Sequence, residues 1–421
     1  MLPIVDARWI AVAVFLGVYL LIMLGLRELT VASLAGVTLL FTLGILSWEE
    51  IWHYMEFDVL ALLIGVMIVA RAMRQVGFFR WLGIHIANLV RCDPLKMMIS
   101  FVLLSAAFTA FAGATVVVAL MMSLVIMDIT DILELDPRPF VLAIIFTVNI
   151  AGMSTSVSSL PTILIAAALN LDFWAFAVRM WPLTSAGIGG LLAVLLFSFR
   201  RELMRARPRF RRLPVTPSEV IKDRKLFYFC NVMLFLMIFG FATGFFVGLK
   251  PGAVAIIVAS TTLIIAGHRI GPVVREVDWE TVLSIACLLV LVGALEKTGV
   301  IADLAGAISP LLGMEFLGPT AVLWLSALLS AAIDNVPFTI TMISVLHAVT
   351  REASPLWWAL AAGTCLGGNG TLVASYANLV VVSTASERGY RIDPKSFTRI
   401  GMPLMLITTA IVNTALILAC L

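Results

Sequence analysis

The stretch "LSAAIDNVPFTITMISVL" (329–346) places a carboxylate, an amide and a proline in the middle of an apolar run. Asp334 is the one acidic residue that falls deep inside such a run, the others lying at run ends or in loops. An intramembrane carboxylate costs at least about 2.5 kcal/mol on insertion scales, so it needs a cation, a proton or a polar partner. Pro337 disfavours a helical continuation just before it. The stretch predicts an interrupted membrane helix with an ion-binding carboxylate, a structural hydrogen-bonded aspartate being the alternative.

Composition extends this interpretation to the whole chain, which has 421 residues, 62% of them hydrophobic and 13% charged. Apolar runs of about 18 or more residues recur from end to end, and each can cross a ~30 Å hydrocarbon core. The fold class predicted is an all-α polytopic membrane protein. The sequence contains no Walker A, GxSxG or HExxH pattern, so we predict neither an enzyme nor ATP-driven transport, no cofactor and no nucleic-acid partner.

A basic segment divides the chain into two membrane halves. Residues 200–225 carry ten Lys/Arg against three Asp/Glu and read as a mobile linker between residues 1–199 and 226–421. The positive-inside rule places this linker in the cytoplasm. With five crossings and one hairpin in each half, 23 of the 28 Lys/Arg become cytoplasmic and both termini lie outside. The predicted location is the inner or plasma membrane of a prokaryote.

An odd number of crossings per half makes two similar halves inverted repeats, a common plan of secondary transporters. Three pairs of segments match in order at a near-constant offset: "ARAMRQVGFFRWL" (70–82) with "VGALEKTGVIADL" (292–304), "LLSAAFTAFAG" (103–113) with "LSALLSAAIDN" (325–335), and "NIAGMSTSVSSLPTILI" (149–165) with "LGGNGTLVASYANLVVV" (366–382). In this alignment Ala112 stands opposite Asp334, so the carboxylate is present in the second half only.

Four segments interrupt apolar helices with small and polar residues, two in each half: "FAGATVV" (111–117), "NIAGMSTSVSSLP" (149–161), "DNVPFT" (334–339) and "GGNGTLVASYAN" (367–378). Kinks that let helices pack closely are the ordinary explanation. Backbone groups freed at membrane depth can instead bind an ion. We predict an ion- and substrate-binding site formed by Asp334, Asn335, Thr339, Gly368, Asn369, Thr371, Ser375, Asn378, Thr115, Asn149, Ser154, Thr155 and Ser158, with a Na⁺ position near Asp334, Asn335 and Asn369.

The motifs "DNVPFTITM" (334–342) and "GGNGTLVASYANLVVVSTASERGY" (367–390) resemble the second-repeat signatures of the ion transporter superfamily, in particular its arsenite-permease and P-protein-like permeases and the related citrate carriers. The resemblance implies re-entrant hairpins with tips at 112–115 and 334–337, and broken helices with breaks near 151–158 and 367–375. It also implies elevator transport, often by a homodimer. The family's first-half patterns are replaced here by Ala112-Gly113-Ala114-Thr115 and by Ser159-Leu160-Pro161-Thr162.

The predicted function is secondary active transport of a small ion, coupled to H⁺ or Na⁺ through Asp334. Within this class three substrates stay open: arsenite or antimonite for efflux, Na⁺ for exchange against H⁺, and a di- or tricarboxylate. Outside it, a passive channel could use the same broken helices. An intramembrane enzyme would need a second carboxylate near Asp334, and the sequence offers none.

Overall fold

The computed structural model describes residues 4–23, 28–112, 115–206, 208–221, 223–266, 273–332, 335–350 and 353–420. Within these ranges the chain forms nineteen α-helices and no β-strand, as an all-α membrane protein requires. The first half contains α1 Ile4–Met23, α2 Leu29–Thr42, α3 Trp48–Tyr54, α4 Phe57–Gln75, α5 Phe78–Leu89, α6 Pro94–Ala112, α7 Thr115–Leu133, α8 Arg138–Ala151, α9 Leu160–Ala168 and α10 Phe173–Arg205. The second half contains α11 Arg224–Thr243, α12 Pro251–Ala266, α13 Trp279–Lys297, α14 Val300–Leu312, α15 Leu317–Ala332, α16 Asn335–Val349, α17 Pro355–Gly367, α18 Tyr376–Glu387 and α19 Pro394–Cys420.

The molecule is a multi-pass integral membrane protein. Six helices of the described part are long and apolar enough to cross a bilayer, namely α6, α7, α10, α11, α13 and α19. The bent pair α4 and α5 passes the same criteria when taken together. Large apolar side chains such as Phe197 (91% exposed) and Ile264 (81% exposed) point away from the protein, as lipid-facing residues do.

The helices of the two halves pack in the same pattern. In the first half α6 packs on α7 and α8, and α10 packs on both α6 and α8. In the second half α15 packs on α16 and α17, and α19 packs on both α15 and α17. Contacts between the halves are also paired, since α4 lies against α12 as α2 lies against α13, and α7 contacts α18 as α9 contacts α16. This repetition agrees with two similar halves; their inverted relation stays a prediction.

These contacts divide the helices into two bundles. The peripheral bundle consists of α1, α2, α4, α11, α12 and α13. The central bundle consists of α6–α10 and α15–α19, with α8 and α17 at its core, where nearly every residue is buried. A helix that is apolar on all sides belongs in such a core. The amphipathic helices α5 and α14 connect the bundles along the chain, so we name them the arm helices.

Both arm helices begin at a glycine in the left-handed conformation. Gly77 (φ 79°) precedes α5, and Gly299 (φ 80°) precedes α14. Residues other than glycine rarely adopt this conformation because Cβ meets the backbone. The alignment of 70–82 with 292–304 pairs these two glycines, so the structure gives that match a physical reason. The chain turns at Gly77 by 59° between α4 and α5.

The basic linker makes a few specific contacts with the first half, and its mobility stays a prediction. Its first residues continue α10 to Arg205. Further along, Leu213 is buried and its backbone N–H donates to Asn88 Oδ1 of α5 at 2.8 Å. Arg209 pairs with Glu134 next to the end of α7. The charge pattern predicts on which side of the membrane this segment lies. It does not predict the contacts of Leu213 and Asn88, which hold the segment against α5.

Basic residues predicted to be cytoplasmic meet at one end of the molecule. Four of them, from four different chain segments, pair with acidic residues on α7 or just after it: Arg80 and Arg388 with Asp128, Arg209 with Glu134, and Arg138 with Asp136. Lys250 and Arg179, which are predicted to lie outside, line two neighbouring cavities that share Leu171 and Asp172. Basic residues predicted to lie on opposite sides of the membrane therefore belong to separate clusters. Which of these clusters faces the cytoplasm stays a prediction.

Candidate functional site

Two buried helix breaks form the candidate site. In the first break the helix ends at the C-cap Gly152 and restarts after the N-cap Ser159. In the second it ends at the C-cap Gly368 and restarts after the N-cap Ser375. The cap residues of the two breaks are the same and the same number of residues apart. The breaks thus occupy 152–159 and 368–375, close to the ranges 151–158 and 367–375 that the resemblance implies.

Three serine hydroxyls of the first break bond to nearby backbone carbonyls. The Ser154 hydroxyl donates to the Ala151 carbonyl at 2.6 Å, and the Ser158 hydroxyl to the Gly152 carbonyl at 2.6 Å. Ser159 caps α9 in a reciprocal arrangement with Thr162. Serine and threonine favour such positions because their short side chains reach nearby backbone groups. The hydroxyl groups therefore replace the hydrogen bonds that the helix loses here.

The second break uses amides. Asn378 Nδ2 donates to the carbonyls of Gly368 at 2.7 Å and Thr371 at 3.1 Å, which closes the loop on itself. Asn369 Nδ2 donates to the Phe146 carbonyl of α8 at 3.2 Å. Both side chains are fully buried. The predicted site residue Ser375 is also buried, and its place is the N-cap of α18.

Asn149 joins the two breaks. It lies in the last turn of α8, and its Nδ2 is within hydrogen-bond distance of three oxygens of the second break: Gly368 O at 3.1 Å, Asn369 Oδ1 at 2.9 Å and Asn378 Oδ1 at 2.9 Å. An amide nitrogen has only two hydrogens to donate. Three oxygens therefore share two donors at this junction, and the Gly368 carbonyl also accepts from Asn378 Nδ2.

Each break is tethered to the end of a neighbouring helix by an equivalent threonine. The Thr155 hydroxyl donates to the Ala110 carbonyl near the end of α6 at 2.6 Å. The Thr371 hydroxyl donates to the Ala331 carbonyl near the end of α15 at 2.7 Å. In addition, Thr115 at the start of α7 donates to the Ser158 carbonyl at 3.1 Å. Thr115 of the first predicted tip thus contacts the first break, and in each half the helix that leads to the predicted tip is bonded to the break.

The carboxylate that the sequence singles out, Asp334, lies outside the described residues, as do Gly113 and Ala114 of the first tip. The residues around it are described: α15 ends at Ala332 and α16 begins at Asn335. Pro337 therefore lies in the first turn of α16, where its missing N–H has no helical partner to lose. Residues 335–337 of the range 334–337 implied by the resemblance are therefore helical.

The described helices reach Ala112 and Ala332 and resume at Thr115 and Asn335, with the residues between them outside the described part. The alignment of the tips, which places Ala112 opposite Asp334, therefore stays a prediction. No residue of 112–115 carries a charge. Thr339 is buried, and its hydroxyl donates to the Asn335 carbonyl inside α16 at 2.6 Å.

Two contacts at the site were not predicted from sequence. The Cys365 thiol of α17 lies 3.6 Å from the Ser159 hydroxyl, so it touches the cap of the first break. Ser330 of α15 donates to the Thr364 carbonyl at 2.9 Å, where Gly363 and Gly367 let the two helices approach closely. Such partners come from other helices, and a single sequence carries no signal for them. A Ser or Gly on a packed helix looks like any other small residue.

Comparisons with known proteins were made on the whole chain. The model of the citrate transporter family matches residues 19–363. A Mycobacterium tuberculosis protein named as an uncharacterised transporter is 31% identical over 414 residues, which cover 96% of both chains. The human P protein is 28% identical over 492 residues, which cover 96% of this chain and 59% of that protein.

Among solved structures, the Alcanivorax borkumensis YdaH transporter resembles the fold, with a TM-score of 0.57 over 87% of this chain and 86% of the other. Its sequence is only 13% identical, so the similarity concerns the fold alone. The family model covers most of the chain, and the relatives are named as transporters. The chain is therefore a transport protein and not an enzyme, and it belongs to the citrate transporter family.

Proposed function

We propose that the protein is a secondary active transporter that moves a small ion and couples this movement to H⁺ or Na⁺ through Asp334. The observation that carries the proposal is the junction at Asn149, where two broken helices bring three oxygens onto one amide. Neutral, buried oxygens without a fixed positive partner suit a cation that binds and leaves. Asn335, Asn369 and Asp334 would supply the Na⁺ position.

Asp334 is proposed as the coupling group because of the residues around it. Its neighbours Ala332 and Asn335 end α15 and begin α16, and Thr371 holds the nearby Ala331 carbonyl against the second break. A carboxylate beside these oxygens would give a cation its compensating charge, or would carry a proton itself. The first half has no carboxylate at its tip, so we propose one coupling carboxylate and not two.

Elevator movement is the proposed mechanism of alternating access. The two breaks and both tips belong to the central bundle, while the peripheral bundle contributes none of these groups. Only the arm helices and the basic linker connect the bundles along the chain, and both arms begin at a left-handed glycine. A site carried as one unit by the central bundle could slide past the peripheral bundle. Turns at Gly77 and Gly299 would absorb the movement.

The substrate proposed first is a di- or tricarboxylate. Family membership favours it, and so do the N-termini of α9 and α18, which both begin at the breaks. The positive end of a helix attracts an anionic group. Arsenite or antimonite efflux is a second candidate because the Cys365 thiol lies beside Ser159. Exchange of Na⁺ for H⁺ needs no further substrate and is the third.

A substrate panel in proteoliposomes tests the proposal. Citrate, succinate, arsenite, Na⁺, Li⁺ and chloride are each presented under imposed H⁺ and Na⁺ gradients. We expect flux of one of these that saturates and stops when the driving gradient is removed. A conductance that does not saturate, with unitary currents in planar bilayers, would identify a passive channel instead. Absence of gradient-dependent flux for the whole panel would also overturn the proposal.

A further inference from the structure

A cavity of about 270 Å³ connects one surface of the molecule to the first break. The start of α4, the body of α9, the start of α10 and the connection between α11 and α12 form its wall. At the surface it is lined by Glu56, Asp58 and Lys250, and at the break it is lined by Ser156. The cavity therefore runs from charged groups at the surface to a buried hydroxyl.

Ser156 differs from the other serines of the first break. The hydroxyls of Ser154, Ser158 and Ser159 all donate to backbone carbonyls. Ser156 is only 3% exposed, and its hydroxyl has no hydrogen-bond partner among the described residues. An unpaired buried hydroxyl costs about 1–3 kcal/mol, so natural proteins rarely leave one without a purpose. Because Ser156 lines the cavity, a ligand in the cavity could supply the missing partner.

The charges at the surface end favour a cation. Glu56, Asp58 and Asp172 are acidic, whereas Lys250 is the one basic residue of the lining. The Asp172 carboxylate already caps α10 by accepting from the Ala175 N–H, and the Asp58 carboxylate lies against Gly252 in the first turn of α12. Glu56 occupies the N-cap position of α4, but its exposed carboxylate makes no capping hydrogen bond to the helix. Clefts lined by one sign of charge raise the local concentration of the opposite ion.

We propose that this cavity is a vestibule for a monovalent cation, which enters between Glu56 and Asp58 and reaches the Ser156 hydroxyl at the first break. The described residues contain no group of three His, Cys, Asp or Glu that could hold a metal ion, so the lining does not form a divalent-cation cage. The inference depends on the proposed function in one respect, namely that the cation in the vestibule is the coupling ion. The cation selectivity of the cavity can be measured without any transport.

Chemical labelling of cysteines introduced one at a time into the full chain tests the vestibule. Ser156→Cys is reacted with a cationic and an anionic methanethiosulfonate of similar size, and the unsubstituted chain gives the background of the native cysteines. We expect the cationic reagent to react about tenfold faster, in line with the effect of a charged cleft. Ala167→Cys, in the wall of the same cavity, gives the same readout should Ser156→Cys fold poorly. Equal rates, or no reaction at either position, would overturn the proposal.

Matched variants test whether Glu56 and Asp58 at the entrance produce the cation selectivity. Glu56→Gln combined with Asp58→Asn should reduce the tenfold preference for the cationic reagent. The remaining preference should be about that measured at Val178→Cys, a reference position in the neighbouring cavity beside Arg179. Glu49→Gln, an exposed acidic residue on α3 that does not line the cavity, should leave the preference unchanged. A preference that survives the double substitution would contradict the proposed role of Glu56 and Asp58. Selective labelling in a chain that moves no ion would refute the proposed function and leave the vestibule standing.

Discussion

The two helix breaks share a backbone plan and differ in chemistry. Both end in a glycine C-cap, restart at a serine N-cap and are tethered by a threonine to the end of a neighbouring helix. The first break binds its own carbonyls through hydroxyl groups, whereas the second uses asparagine amides and receives Asn149 from the first half. The two breaks therefore have the same position in the two halves of this chain, but different polar side chains.

This difference indicates how the halves divide their work. The hydroxyls of Ser154, Ser158 and Ser159 stabilise the first break by bonding to nearby carbonyls, and Ser156 is the serine of this break left for a ligand. Amides that reach between helices gather oxygens of different segments at one point. The proposed coupling site with its carboxylate would therefore lie in the second half, with the first break as its structural counterpart. The comparison predicts unequal effects of equivalent substitutions.

The largest effect on stability is expected at the junction. Asn149→Ala removes the donor shared by Asn369 and Asn378 and leaves buried oxygens unpaired, which should cost about 2–4 kcal/mol of unfolding free energy. Ser154→Ala, one turn away in the first break, removes a single local bond and should cost about 1 kcal/mol or less. Thermal unfolding in detergent compares the two. Equal losses would show that the junction is no more important than an ordinary serine bond.

The arm glycines come next. Gly77→Ala and Gly299→Ala each force alanine into a left-handed conformation, at about 1–2 kcal/mol. A Cβ at Gly77 would also lie 2.9 Å from the Val220 carbonyl of the linker, whereas a Cβ at Gly299 would meet nothing within 4 Å. Gly77→Ala should therefore be the more destabilising of the two. The same unfolding assay measures it, and the reverse order would contradict the docking of the linker on this turn.

The threonine tethers should give smaller and similar effects. Thr155→Val and Thr371→Val keep the side-chain shape and leave the carbonyls of Ala110 and Ala331 without this donor, at about 1 kcal/mol each. Thr184→Val on α10 is the control, because its hydroxyl bonds only within its own helix. A tether that costs no more than the control would show that this tip is not held by its break.

The smallest effect concerns an exposed ion pair between the halves. Glu50 of α3 bonds to Lys297 at the end of α13, and this bond, with the Ser47 N–H, lowers the pKa of Glu50 below its ordinary value although burial acts in the other direction. A lowered pKa means that the pair stabilises the fold at neutral pH and is lost as the pH falls below about 4.5 through the folded pKa. Glu50→Gln should remove less than about 1 kcal/mol at pH 7 and less still at pH 3. Unfolding measured at both pH values checks this, and an equal loss at the two would exclude the charge as its cause.

The sequence was sufficient to predict the interrupted helices. Gly, Ser and Asn in apolar runs indicate a break because they weaken a helix and satisfy free backbone groups, and both breaks lie inside the interrupted segments 149–161 and 367–378. The narrower ranges came from the family resemblance. The pairing of Gly77 with Gly299 came from the internal match of 70–82 with 292–304. Pro337 was misleading, because proline is equally compatible with a break and with the first turn of a helix.

Contacts between segments distant in the chain could not be predicted. The three oxygens around Asn149 come from the other half of the chain, and no local pattern reveals which amide meets which. The docking of the linker depends on Leu213 and Asn88, which are inconspicuous beside ten basic residues.

The central claim is that one carboxylate, Asp334, couples transport. Proteoliposomes with wild-type protein, Asp334→Asn or the exposed control Glu315→Gln are given the transported ion under an imposed H⁺ or Na⁺ gradient. We expect Asp334→Asn to abolish accumulation driven by the gradient, and Glu315→Gln to accumulate as the wild type does. Undiminished gradient-driven accumulation by Asp334→Asn would contradict the account.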